Sequence, residues 1–134
     1  MLSVGLVLGG PEESKFGQEV RSLMKFVRKN RERGFGGAEV NIVFHVPGSL
    51  KKPDYVGLRT GTFSKKERCQ MVQVSVEDEF ATSNDTERIR RYVFDVADEA
   101  IGIGKSALEK KKLAYDIELD RSLLDMWLSL GGEA

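Results

Sequence analysis

The chain has 134 residues, 40% of them apolar and 31% charged, and its 21 Lys+Arg balance 21 Asp+Glu. That length can bury roughly two-thirds of the surface its unfolded form exposes, so a single domain over 1–134 needs no metal or disulfide staple. Cys69 is the only cysteine, which excludes an intrachain disulfide, and no run approaches the roughly 18 uninterrupted apolar residues of a membrane span.

These features set the expectation of a cytoplasmic protein, since secretion loses its commonest trace. The neutral total hides a split. Residues 1–76 hold 13 Lys+Arg against 7 Asp+Glu, and 77–134 hold 8 against 14. Such halves mark a basic and an acidic face, or cancel by interleaving in one fold.

Leu2, Val4, Leu6 and Leu8 alternate with smaller residues, the period of a half-buried strand, and Gly9, Gly10 and Pro11 end it. The run has no basic region before it and no cleavage pattern after it, so it reads as a strand and not as a signal peptide. Pro11 suits the first turn of a helix, on which Phe16, Val20, Leu23, Met24 and Val27 make one apolar stripe. Arg28, Lys29, Arg31 and Arg33 crowd its end, where cations complement the helix dipole, before the glycines of 34–37.

Val40, Ile42, Phe44 and Val46 give the clearest strand, closed by Pro47 and Gly48. Segments 55–63 and 68–76 then flank a polar turn at 64–67, the length of a hairpin loop. Three successive strands with short connections predict an α+β fold built on an antiparallel β-meander of about four strands, packed by two or three helices.

Asp85 or Thr86 can cap the next helix, whose sheet-packing stripe is Ile89, Tyr92, Val93, Val96, Ala97, Ala100 and Ile103. A second stripe, Phe94, Ile101 and Leu108, repeats every seven residues on the other side. It needs cover from the C-terminal helix or from a second copy in a homodimer. Leu113, Tyr115, Ile117 and Leu119 alternate, which suits a short strand before Asp120 caps a last helix carrying Leu123, Leu124, Trp127 and Leu128. Continuous helix is the other reading of that segment.

No motif names a reaction. Gly104, Lys105 and Ser106 resemble the end of a phosphate-binding loop, but Glu99 stands where that loop needs glycine and the segment lies within a helical pattern. Gly102 and Gly104 read instead as places of close packing or helix irregularity, and no cofactor is expected.

Alternation puts Glu39, Asn41, His45, Tyr55, Arg59, Cys69, Gln73 and Ser75 on one sheet face. His45 with Arg59 and Tyr55 has the residue types for acid–base chemistry on an anion; the plainer reading is a solvated or partner-contacting face. Cys69 and His45 could pair as nucleophile and base. No metal is expected, because Glu77, Asp78 and Glu79 lack the spaced ligands and glycine of a calcium loop. Lys51, Lys52, Lys65, Lys66 and Arg68 are cations of the kind that meet nucleic acid, but the neutral total and the lack of a docking motif argue for solvated loops.

The segment from Gly57 to Glu67, running into Val72 to Val76 after the strand from Val40 to Pro47, resembles the central region of immunity proteins from bacterial polymorphic-toxin systems. The resemblance implies a small cytoplasmic α+β protein that blocks a toxin by binding it, with no catalytic residues to carry over. Two surfaces offer themselves for that contact. One is acidic, Asp95, Asp98 and Glu99 with Asp116, Glu118 and Asp120, and suits the basic cleft of a nuclease toxin; the other is the basic hairpin of Arg59, Lys65, Lys66 and Arg68. The competing class is a small enzyme or ligand-binding domain that uses His45, Arg59 and Tyr55, and a third is a subunit of a larger assembly.

Overall fold

The computed structural model describes residues 2–7, 14–30, 38–46 and 57–130, with residues 6 and 7 as backbone only. Leu8 to Pro11, Arg31, Arg33, the glycines of 34–37, Pro47, Gly48, Lys51, Lys52 and Tyr55 lie outside the described residues.

The described residues form four strands: β1 (Leu2–Val7), β2 (Glu39–His45), β3 (Gly57–Ser64) and β4 (Cys69–Ser75). They form one sheet in the order β1-β2-β4-β3. The antiparallel meander is corrected here: β1 runs parallel to β2 and β2 parallel to β4, and only the β3–β4 hairpin is antiparallel. The physical reason lies in the connections. The chain between β1 and β2 contains a whole helix, the length a parallel crossover requires. From the end of β2 at His45 the chain travels to the far edge before the hairpin returns β4 beside β2. Strands β2 and β3 follow each other in the sequence but are not neighbours in the sheet.

Helix α1 (Lys15–Lys29) starts at Ser14, whose side chain accepts from the Gly17 N–H, and ends with Arg28 and Lys29 in its last turn. A four-residue helix, α2 (Asp78–Ala81), which the sequence pattern did not signal, precedes α3 (Thr86–Lys110). Of the two caps considered for α3, Asp85 is the one used, accepting from the Arg88 N–H at 3.2 Å. The last helix, α4 (Ile117–Ser129), is capped by Asp116 rather than Asp120, so 113–116 is neither strand nor continuous helix.

Val40, Ile42, Phe44, Val72 and Val74 point to one sheet face and are fully buried. Both long helices cover that face: Phe16 of α1 meets the Phe44 ring edge-on, and α3 crosses the sheet at Val40. A β-carbon on Gly104 would lie 2.7 Å from both Val40 methyls, whereas one on Gly102 would meet only the Arg121 side chain at 3.9 Å. Of the two glycines of α3, close packing therefore explains Gly104 alone. Lys105 sits mid-helix, 3.9 Å from Glu109, and not in a loop after a strand.

Helix α4 packs against α3. Ile101 and Leu108 have no exposed surface left for a second copy, and Phe94 packs partly buried against the same core. Arg90 ties α1, α3 and α4 together. From α3 it reaches Glu19 of α1 at 2.6 Å and the Trp127 carbonyl of α4 at 2.6 Å, with its guanidinium 3.9 Å from the Trp127 ring centre. Among the described residues, no helix is long and apolar enough to cross a membrane.

Candidate functional site

The β3–β4 turn is shaped by local chemistry. The Glu67 N–H donates to the Ser64 hydroxyl at 3.2 Å, Arg68 adopts a left-handed conformation at φ 53°, and its carbonyl accepts from the Glu39 N–H at 2.9 Å. Lys65, Lys66 and Arg68 are held exposed at the sheet corner.

Just before the turn, β3 bulges between Thr60 and Phe63. The bulge leaves ladder groups unpaired, and the buried Gln70 amide answers part of that need by donating to the Gly61 carbonyl at 3.1 Å as well as to Met71 O at 2.9 Å. The bulge also sets Phe63 toward the end of α3, where Lys111 Nζ lies 5.0 Å from its ring centre.

The fold thus brings Lys110 and Lys111 to the basic turn beside Phe63, a convergence of segments more than forty residues apart. Two adjoining clefts meet at Phe63 and Lys111. One of about 310 Å³ lies between Phe63, Lys65, Arg68, Lys111 and Leu113; the other, of about 530 Å³, lies between the bulge at Gly61 and the end of α3. Among the described residues, no carboxylate lines either cleft. Sequence reasoning found Lys65, Lys66 and Arg68 but missed Phe63, Lys110 and Lys111. The run of three lysines was a visible signal; its place beside the hairpin was not.

The acidic residues lie differently. Asp98 accepts from Arg121 Nε at 3.0 Å, Glu118 is 3.9 Å from the same guanidinium, and Asp95 faces Arg91 at 3.4 Å. Asp116 is occupied as the α4 cap, accepting from the Leu119 N–H at 3.1 Å. Asp120 is 1% exposed and belongs to no surface. Burial pushes its carboxyl up against the hydrogen bond from the Leu2 backbone, and burial beside Asp120 pushes the Tyr115 phenol up as well. Glu99 is exposed.

The polar sheet face is real. Register puts Glu39, Asn41, His45, Cys69, Gln73, Ser75 and Arg59 together on the side away from the described helices. Within it, Cys69 stands opposite Glu39 while His45 stands opposite Ser75, at the other end of the strands. Six residues separate them along the strand, about 20 Å, so they form no nucleophile–base pair. Burial, with the charges of Glu39 and Glu67, raises the Cys69 thiol to about 12, the opposite of an activated thiolate. His45 and Ser75 are buried neighbours whose side-chain nitrogens and hydroxyl have no hydrogen-bond partner among the described residues. Nor do any three His, Cys, Asp or Glu side chains of the described residues gather as a metal site.

Comparison of the chain with protein-family models, with curated proteins and with solved structures finds no match.

Proposed function

We propose that this chain is a cytoplasmic binding protein of the immunity kind, which neutralises a cognate bacterial toxin by direct contact, and that it meets that toxin with the basic end of the β3–β4 hairpin. The observation that carries the choice of surface is the convergence of Lys65 and Arg68 with Lys110 and Lys111 around Phe63, next to the exposed Lys66, with no carboxylate of the described residues lining the clefts between them. Lys65, Lys66 and Lys110 form no ion pair among the described residues, so their field reaches solvent, and an aromatic ring amid cations gives an anchor with a polar surround. The complementary partner surface is acidic. The alternative acidic contact is less apt, because most of its carboxylates already face Arg91, Arg121 or a helix cap.

The test uses the product of the adjacent toxin gene. Lys65→Glu with Lys66→Glu should slow association by about tenfold or more and flatten its salt dependence, while Asp95→Lys with Glu99→Lys changes it by less than about threefold. Absence of any complex with the neighbouring gene product, or the reverse ranking of the two variants, sinks the reading.

One observation favours a second reading, a small enzyme or ligand-binding domain: the adjacent, buried His45 and Ser75, whose side chains have no hydrogen-bond partner among the described residues. If His45→Ala abolishes protection while leaving toxin binding and folding intact, neutralisation by contact alone is wrong and this second reading replaces it.

A further inference from the structure

Among the described residues, the exposed large apolar side chains are Met126, 51% exposed, and Leu130, 42% exposed. They are four residues apart at the end of α4 and so share one side of it. Leu130 also forms a wall of a cleft of about 340 Å³ between α1 and α4. The opposite wall is Phe26, the floor is the Arg90–Trp127 pair, and the rim carries Lys25 and Lys29.

This floor is a built one. Arg90 is 4% exposed and held by Glu19 and the Trp127 carbonyl, and the Trp127 Nε1–H donates to Ser22 Oγ at 3.1 Å. The Arg90 Nε, also buried, has no partner among the described residues. With Arg90 balanced by Glu19, the excess charge at the cleft is that of Lys25 and Lys29, neither of which forms an ion pair among the described residues. No carboxylate of the described residues lines the cleft.

We propose that this cleft docks an acidic amphipathic segment of a partner protein, which seats one large apolar side chain between Phe26 and Leu130 and sets its carboxylates against Lys25 and Lys29. The apolar wall selects a side chain over a bare anion, and the lysine rim selects acidic flanks by charge complementarity. A nucleic acid would want a broader cationic track than two lysines. A bilayer would want several apolar groups that project, whereas here Leu130 walls a recess and Met126 alone of the described large apolar side chains projects outside it. The site lies on the helices, between α1 and α4, and does not depend on the hairpin contact proposed above.

Trp127 is the only tryptophan in the chain, so its emission reports on this cleft alone. The probe is a synthetic twelve-residue peptide of glutamate and leucine at helical spacing; the controls are the same peptide with lysine for glutamate and one with serine for leucine. The expected result is a saturable change in Trp127 emission with a Kd below about 1 mM. It should weaken at least about tenfold in Lys25→Glu with Lys29→Glu and in Leu130→Ser, all exposed positions, and stay unchanged in Lys65→Glu with Lys66→Glu.

No saturable change below about 1 mM overturns the proposal. So does equal binding of either control peptide, or loss of binding in the hairpin variant alone. Binding of the chain to anionic phosphatidylglycerol vesicles but not to the peptide overturns it in favour of a membrane. An emission change with protein concentration alone, matched by dimer in sedimentation, overturns it in favour of a second copy.

Discussion

The two faces of the sheet are made by the same strands and the same alternation, yet they end in different chemical states. On the helix-covered face Val40 accepts the bare backbone of Gly104, Phe44 receives the edge of Phe16, and the buried amide of Gln70 bonds the carbonyls of the β3 bulge. On the opposite face His45 and Ser75 are also buried, but their side chains have no hydrogen-bond partner among the described residues. Burial alone therefore does not mark a finished core. Whether buried polar atoms have partners separates groups that serve the fold from groups open to another use.

The sharpest way to break this contrast is at the helix–sheet contact. Gly104→Ala pushes a methyl into Val40, a fully buried side chain in the middle of the sheet, and should lower stability by about 2–3 kcal/mol in denaturant melts. Gly102→Ala, two residues away, where a β-carbon would meet the Arg121 side chain only at ordinary contact distance, should raise it by up to about 1 kcal/mol through helix propensity. If both substitutions shift stability in the same direction, the close approach of α3 to β2 is wrong.

A smaller effect distinguishes the buried polar groups themselves. Gln70→Ala strands the bulge carbonyls and should cost about 2 kcal/mol, whereas Ser75→Ala removes a hydroxyl that has no partner among the described residues and should stay within about 0.5 kcal/mol. Equal costs would mean that the Ser75 hydroxyl contributes to folding as much as the Gln70 amide does.

The alternation that defines both faces was legible in the sequence. Val40, Ile42 and Phe44 announced their strand, and the polar set from Glu39 to Ser75 fell on one side as its spacing demanded. Period-2 patterning, however, carries no information on which strand lies beside which, so β4 beside β2 could not be read. Nor could the meeting of Lys110 and Lys111 with Phe63, which follows from where α3 ends over that sheet order. Charge runs misled for a related reason. Asp98 and Asp120 look alike in the sequence, but one pairs with Arg121 at the surface and the other is buried next to Tyr115. The Arg90 cluster was likewise hidden, because a charged residue between apolar helix positions reads as solvated until α1 and α4 close over it.

The smallest expected effect concerns one proton on the open face. Burial lowers the His45 imidazole below its ordinary value of 6.5, so the folded protein binds that proton less readily than the unfolded chain does. Above about 6.5 neither state is protonated at His45 and the group is silent. As pH falls through 6.5 towards the lower folded value, the unfolded state gains a proton that the native state does not, and stability is lost. The slope from this single site is no steeper than about 1.4 kcal/mol per pH unit. Asp120 acts with the opposite sign, because burial raises its pKa above 3.8. Its native state takes up a proton first as pH falls, which favours folding over a window that opens at 3.8 and extends upward. Cys69, raised to about 12, does not titrate near either window. Denaturant melts between pH 8 and pH 5 should therefore show a loss of stability beginning near 6.5 that His45→Gln removes. Parallel curves for the two proteins would mean that the imidazole is solvated or partnered in the folded state, and the contrast between the two faces would fail at its most polar point.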